Sequence, residues 1–304
     1  MIELSQCFFV LGGIFIIIDF IRIIYKIFLQ RSFLLKASFS LIFQTIAVLI
    51  ITVIIGIFFF YNTFKMTDIE NYMFFFACFA YTVLITFFLE QMNSMESCSI
   101  ELLEAIICAT EAANPNLNGH AIQVMNLTML LYEHLPINYA ASINPSELQC
   151  AALLINIGKL GVSKNIINKS GKLEDDERTQ MMRHPEIAQK MLRSIKSMNT
   201  ISKWIKYLHE NVDGTGYFHL KDDSIPLESR IIAIADTYSA IIMERSYKAA
   251  LTHEDAIAEL KLSSGKKLDA DLVSIFCAIP LYKIDSCIAC AKDKMQIYKE
   301  ENFL

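Results

Sequence analysis

Glycine and proline are scarce in this chain of 304 residues: ten glycines and six prolines, every proline at or beyond position 115. So few backbone breakers exclude an architecture of many short strands joined by tight turns and predict a mainly helical protein in both halves. Charge is scarce as well, with 19% charged residues against 54% apolar ones, a balance that excludes disorder. The formal net charge is only −5, so there is no electrostatic footprint for nucleic acid. Lys and Arg are missing altogether from Met66 to Gly158.

What is present divides the chain. Only ten charged residues fall between Met1 and Gln91, five of each sign, so the remainder carries the whole net charge. The uncharged run from Ala37 to Phe64 contains Leu41 to Tyr61, which is longer than the ~20 residues needed to cross a bilayer. Asn71 to Leu89 is uncharged and ends at Glu90, which predicts another span. A first span is expected from about Leu4 to Tyr25, with Arg22 and Lys26 at its end where long basic side chains snorkel. A secretory signal is the rival reading, but Glu3 stands where a basic start is needed and no small-residue cleavage site follows.

Arg22, Lys26, Arg31 and Lys36 in the first connection, against Lys65 beside Asp68 and Glu70 in the second, place the N-terminus outside and the C-terminal part inside. The expectation is a multi-pass protein of a bacterial cytoplasmic (inner) membrane. Residues 1–92 form the membrane region, 93–280 a cytoplasmic domain and 281–304 a helical tail. The eight cysteines show no disulfide framework, in keeping with a reducing compartment, and Cys287-Ile-Ala-Cys290 reads as two small residues on a helix face.

Beyond Glu90 the apolar pattern becomes amphipathic, with Ile100, Leu103, Ile106 and Ile107 at helical spacing. Further helices are predicted around 119–135, 146–157, 174–183, 185–195, 199–210, 228–244, 253–263 and 269–278. Asn144 before Pro145 and Thr252 before His253 are expected N-caps, and Gly265 closes a helix. This is an all-α domain large enough for its own core. Within it, His120, His184 and His209 have polar companions, and Asp236 sits in an otherwise apolar helix where a lone carboxylate is costly. Three imidazoles and a carboxylate can make a transition-metal site. His134, His219 and His253 read as loop or cap residues.

In order along the chain stand Asn118-Gly119-His120, Ile155-Asn156-Ile157-Gly158-Lys159-Leu160-Gly161, Arg183-His184-Pro185-Glu186, His209-Glu210, Asp213-Gly214-Thr215-Gly216-Tyr217, Ala235-Asp236 and Arg245-Ser246-Tyr247-Lys248. From about Ser99 to Ile279 this string resembles the HD-GYP domain family, the HD phosphohydrolases that hydrolyse cyclic di-GMP. The resemblance implies an HD-type helical bundle behind three transmembrane helices. It also implies divalent iron or manganese held by His120, His184, His209 and Asp236, with Lys159 on a phosphate oxygen in a catalytic role. Asp213, Gly214 and Tyr217 would border the pocket, and Arg245 with Lys248 would meet the nucleotide.

The sequence departs from the family where ligands are needed. Ile155 and Asn156 replace the name-giving His-Asp pair, Leu208 replaces the first His of a later pair, Asn116 stands where some members carry Glu, and Phe218 replaces a Pro. Isoleucine and leucine cannot ligate, and a neutral Asn lacks the two equivalent oxygens that bridge two cations. The expectation is a degenerate, membrane-anchored member that binds cyclic di-GMP, a related nucleotide or a signalling protein. A divergent metal-dependent phosphodiesterase and a docking or homodimerisation module are the alternatives.

Overall fold

The computed structural model describes residues 99–111, 119–167, 169, 171–243 and 250–300. The expected spans within 1–92, and Arg245 and Lys248, lie outside the described residues, as do Asn116, Asn118 and Cys98. The chain divides into two compact units, Met1–Ser99 and Ile100–Leu304. The described part of the second is built of helices joined by turns, with a single isolated bridge between Ser264 and Leu268. Among the described residues no single helix is long and apolar enough to cross a membrane.

Helix α1 covers residues 99–111. After it comes α2 (His120–His134), whose residues are apolar and buried on nearly every side, the pattern of a central core helix. Three helices surround α2: α4 (Pro145–Leu153), α9 (Leu227–Ile242) and α12 (Leu281–Glu300). The short helix α3 (Ile137–Ala140) connects α2 to α4. Also packed on α9 are α10 (His253–Ser263) and α11 (Ala270–Cys277), the latter through the buried Tyr238 and Phe276 rings, 5.1 Å apart, and α11 touches α2 as well. A second group consists of α5 (Lys164–Ile167), α6 (Asp175–Met182), α7 (His184–Leu192) and α8 (Asn199–Lys206), of which α7 and α8 pack side by side.

The caps follow the sequence. Asn144 accepts the backbone N–H groups of Ser146 and Glu147, and Thr252 forms a reciprocal capping box with Asp255. Gly265 takes a left-handed φ of 70° just past α10. Two helices stop earlier than their apolar pattern predicts. The one expected over 146–157 ends at Leu153 and gives way to a 3-10 turn, Ile157–Gly161. The reason is close packing: a β-carbon on Gly158 would lie 1.9 Å from the His184 carbonyl oxygen, so the bare backbone of this turn rests on the start of α7. The one expected over 199–210 ends at Lys206, and Leu208 and His209 lie in the turn beyond it.

The periodicity of α1 also needs correction. Ile106 is 52% exposed, while Ile107, Cys108 and Glu111 face the domain. The C-terminal residues are helical, and α12 lies along α2, with the Asn126 side-chain amide donating to the Cys287 carbonyl at 3.0 Å and Lys283 paired to His134 at 3.1 Å. Lys294 of α12 also pairs with Glu104 of α1. The cysteines of the described part are free, and burial pushes the thiols of Cys108, Cys150 and Cys287 up to about 11, so they are inert packing groups.

Candidate functional site

Five elements bring His120, Lys159, His184, His209 and Asp236 together: the first turn of α2, the 3-10 turn at Ile157–Gly161, the start of α7, the segment from His209 onward, and α9. His120 opens α2 after Gly119, which has a φ of 82° that side chains rarely adopt. Its ring is 3% exposed, with Nε2 donating to Asp236 Oδ1 at 2.9 Å and Nδ1 paired to the Ser239 hydroxyl at 2.9 Å. Asp236 and Ser239 are three apart on α9 and so share the face that meets His120. Burial pushes the Asp236 carboxyl up, but the His120 hydrogen bond and the charges of His120, His209 and Lys159 outweigh it and hold the group well below the usual carboxylate range.

His184 begins α7 and donates its Nδ1–H to the Met181 carbonyl at 2.7 Å. That bond fixes the tautomer, leaving Nε2 as the acceptor for the Nε2–H of His209, 3.0 Å away. Burial, reinforced by the neighbouring His209, depresses the His184 pKa to about 4, and burial likewise lowers that of His209. Both rings are neutral near pH 7. The His209 ring lies 5.3 Å from that of Tyr217, which places the DGTGY loop beside the pair. Lys159, half-buried in the 3-10 turn, acts electrostatically on His184, His209, Asp236 and a fourth group, Glu111.

Glu111 was not among the residues expected from sequence. It is 3% exposed, and its two carboxylate oxygens accept the Ala121 N–H at 3.1 and 3.2 Å, the cap that the left-handed Gly119 cannot supply. Burial raises its pKa to about 8, against the favourable pull of the Ala121 N–H and Lys159. The Asn156 amide nitrogen is close enough to favour the Glu111 carboxylate, yet this buried atom meets no acceptor with hydrogen-bond geometry. The signal for Glu111 lay in spacing: it follows Ile107 by four and Cys108 by three, on the face of α1 turned to the domain.

The other loop residues have local duties. Asp213 is exposed and accepts both the N–H and the hydroxyl of Thr215, closing a turn in which Gly214 has a φ of 84°. Glu210 is buried and receives the N–H groups of Phe218 and Leu220, each at 2.6 Å, so it pins the loop. His134, His219 and His253 lie away from the cluster. His134 ends α2, His219 sits in a loop with a φ of 62°, and His253 starts α10 paired to the Tyr238 hydroxyl at 2.7 Å.

The donors do not fit a two-metal centre. Ile155 and Leu208 are 3% and 4% exposed, so branched aliphatic chains are buried at two positions where the family resemblance implies metal ligands. At a third, Asn156 presents a neutral amide where two cations would share a carboxylate. The remaining donors form two separate pairs, and among the described residues no three His, Cys, Asp or Glu side chains group as metal ligands.

A family model described as HD domain matches residues 107–272, more than half of the chain. The chain belongs to the HD domain family. Its relatives agree with the HD-GYP membership carried by the motifs. A cyclic di-GMP phosphodiesterase of Vibrio cholerae is 30% identical over 210 residues, 62% of this chain and 43% of that protein. A 3'3'-cGAMP-specific phosphodiesterase 3 of the same organism is 34% identical over 174 residues, 56% of this chain and 37% of that protein. A cyclic di-GMP phosphodiesterase of Thermotoga maritima is 30% identical over 190 residues, 62% of this chain and 51% of that protein. The chain thus spans between 37% and 51% of the length of these relatives.

Proposed function

We propose that this HD domain protein is a membrane-anchored, catalytically degenerate member of the HD-GYP type that works as a regulator, binding a cyclic dinucleotide without hydrolysing it. The observation that carries the reading is the state of the ligand positions. Ile155 and Leu208 are buried in the core, Asn156 is neutral, and the donors that remain satisfy one another as His120 with Asp236 and His184 with His209. Disturbing an outer partner of a metal ligand alone costs about 10 to 100-fold in affinity or activity, and here three ligand positions have changed.

The groups suited to an anionic ligand are retained. Lys159 supplies a compact positive charge beside two neutral imidazoles, and Tyr217 offers an aromatic face next to His209. The cyclic dinucleotides on which the relatives are named to act carry such phosphates. Arg245 and Lys248 belong to the same proposal on the strength of the motif. The large apolar share of residues 1–92 supports a membrane anchor with the HD domain on the cytoplasmic side.

Calorimetry on the full chain in detergent, titrated with cyclic di-GMP and with 3'3'-cGAMP, tests the binding. Saturable heat that falls at least about tenfold in affinity with Lys159→Ala supports it. Absence of binding to either dinucleotide removes the nucleotide form of the reading and leaves a protein partner.

One observation favours a second reading, a divergent phosphodiesterase with a single metal. The Nδ1–H of His184 is tied to Met181, which leaves the Nε2 lone pair facing His209 in the tautomer a metal would use. Metal analysis of protein grown with excess iron and manganese separates the two, since the second reading requires a stoichiometric ion.

A further inference from the structure

None of the eight residues of α6 is buried, so this helix adds nothing to the hydrophobic core. It is held at its two ends by polar bonds. Glu177 accepts the Glu174 N–H at 2.8 Å and the Lys169 ammonium at 2.5 Å, while the Met181 carbonyl takes the Nδ1–H of His184 at 2.7 Å. The last of these ties the final turn of α6 to the His184–His209 pair, and through His209 to Tyr217, whose half-buried ring lies 5.3 Å from the His209 ring.

Arg178 stands three residues before Met181, about one turn back along α6. Its side chain is exposed, and Glu174 and Asp175 stand four and three residues before it, the spacing at which helical ion pairs form. Among the described residues Arg178 pairs with neither. Burial raises the Tyr217 pKa, and the Arg178 charge opposes that rise, so the guanidinium acts on the Tyr217 hydroxyl. Neighbouring cations are engaged elsewhere: Lys169 is bound to Glu177, and Lys206 lies over the Tyr207 and Phe218 rings, 5.1 and 4.8 Å from their centroids. An aromatic ring and an unpaired guanidinium are thus brought to one edge of the His184–His209 pair by two different elements.

We propose, resting on the dinucleotide binding set out above, that Tyr217 and Arg178 form the subsite for one purine base of the ligand and that Arg178 selects guanine. The Tyr217 ring offers a stacking surface, which every base accepts. Selectivity comes from the guanidinium, whose five N–H groups can only donate. Guanine presents two acceptors, O6 and N7, on one edge, and a planar fork meets both. Adenine presents N7 beside an N6 amino group, itself a donor, so one prong of the fork is left without an acceptor. A phosphate contact is the competing use of Arg178. Lys159 supplies the positive charge beside the imidazoles, whereas Arg178 stands by an aromatic ring, where a base is held and not a phosphate.

The test is calorimetry of the full chain in detergent with cyclic di-GMP, 3'3'-cGAMP and cyclic di-AMP, for the unmodified protein and for Arg178→Ala and Arg178→Gln. The unmodified chain should bind the two guanine-containing ligands at least about tenfold more tightly than cyclic di-AMP. Arg178→Ala should bring the three affinities together by weakening the guanine-containing ligands. Arg178→Gln, whose amide pairs with adenine N6 and N7, should shift the preference toward cyclic di-AMP. Because Arg178 is exposed, both variants should unfold in urea alongside the unmodified chain, which separates selectivity from folding. An equal loss of all three ligands in Arg178→Ala assigns the residue to phosphate and overturns the proposal. A guanine preference that persists in both variants overturns it too, as does equal binding of all three ligands by the unmodified chain. Failure of the unmodified chain to bind any of them is a different result, which removes the dinucleotide reading itself and this subsite with it.

Discussion

The Nε2 atoms of His184 and His209 lie 3.0 Å apart, and because His184 spends its Nδ1–H on the Met181 carbonyl, the single proton between the two rings belongs to His209. Protonating His184 as well would place two N–H groups against each other in a buried site. Stability toward acid is therefore tied to this pair.

The folded pKa of His184, about 4, lies below its ordinary 6.5. A depressed group contributes stability that is present above the unfolded pKa and lost as pH falls through the folded one. Relative to His184→Gln, the wild-type chain should lose about 3 kcal/mol between pH 7 and pH 4. Trp204 is the only tryptophan and is buried on α8, so its fluorescence during urea unfolding of the full chain reports the difference.

Glu111 gives the opposite slope. Its folded pKa is raised from 4.5 to about 8, so its contribution is full below pH 4.5 and is lost as pH rises through 8. Relative to Glu111→Gln, which keeps an oxygen for the Ala121 N–H, the wild-type chain should lose about 5 kcal/mol between pH 4 and pH 9. The same fluorescence measurement checks it. Between pH 4.5 and 6.5 the His184 and Glu111 slopes oppose each other, with His209, whose pKa burial also lowers, adding to the His184 side.

Asn156→Asp would set a second carboxylate beside Glu111 in a buried place. Without a metal to share, the new charge should cost about 1–3 kcal/mol at pH 9 and less at pH 5, where Glu111 is protonated. Combined with Ile155→His and Leu208→His, the same change restores the missing donors. That triple variant should hold manganese that the wild-type chain does not, measured by metal analysis after gel filtration.

Gly158→Ala drives a methyl group into the His184 carbonyl, and backbone cannot step aside as a flexible side chain would. The expected cost is about 1–3 kcal/mol by urea unfolding. Nucleotide affinity should fall along with stability, because the 3-10 turn that carries Lys159 is pushed off α7.

Much of the fold could be read from local signals. Asn144 and Thr252 cap the helices they precede, and Asp236 stood out as a carboxylate in an apolar helix before its partner His120, 116 positions away, was known. His120, Lys159, His184, His209 and Asp236 stood out in the sequence, but their pairing did not, because which imidazole meets which acceptor depends on how α2, α7 and α9 pack. Helix ends at Leu153 and Lys206 were missed for the same reason: the apolar pattern continues past both, and the stop comes from a tertiary approach at Gly158 and from the inward turn of Leu208. Glu111 escaped notice because its role is defined by the Ala121 N–H and Asn156, neither of which is near it in helical spacing.

The central claim is that this domain keeps the family's nucleotide pocket and has lost its hydrolysis. The most direct test incubates the full chain in detergent with cyclic di-GMP and with 3'3'-cGAMP, plus iron or manganese under reducing conditions, and separates the products by chromatography. The account predicts both dinucleotides recovered intact, with no linear dinucleotide and no mononucleotide above the level of a protein-free control. Catalytic turnover that depends on added metal and disappears with His184→Ala would contradict it.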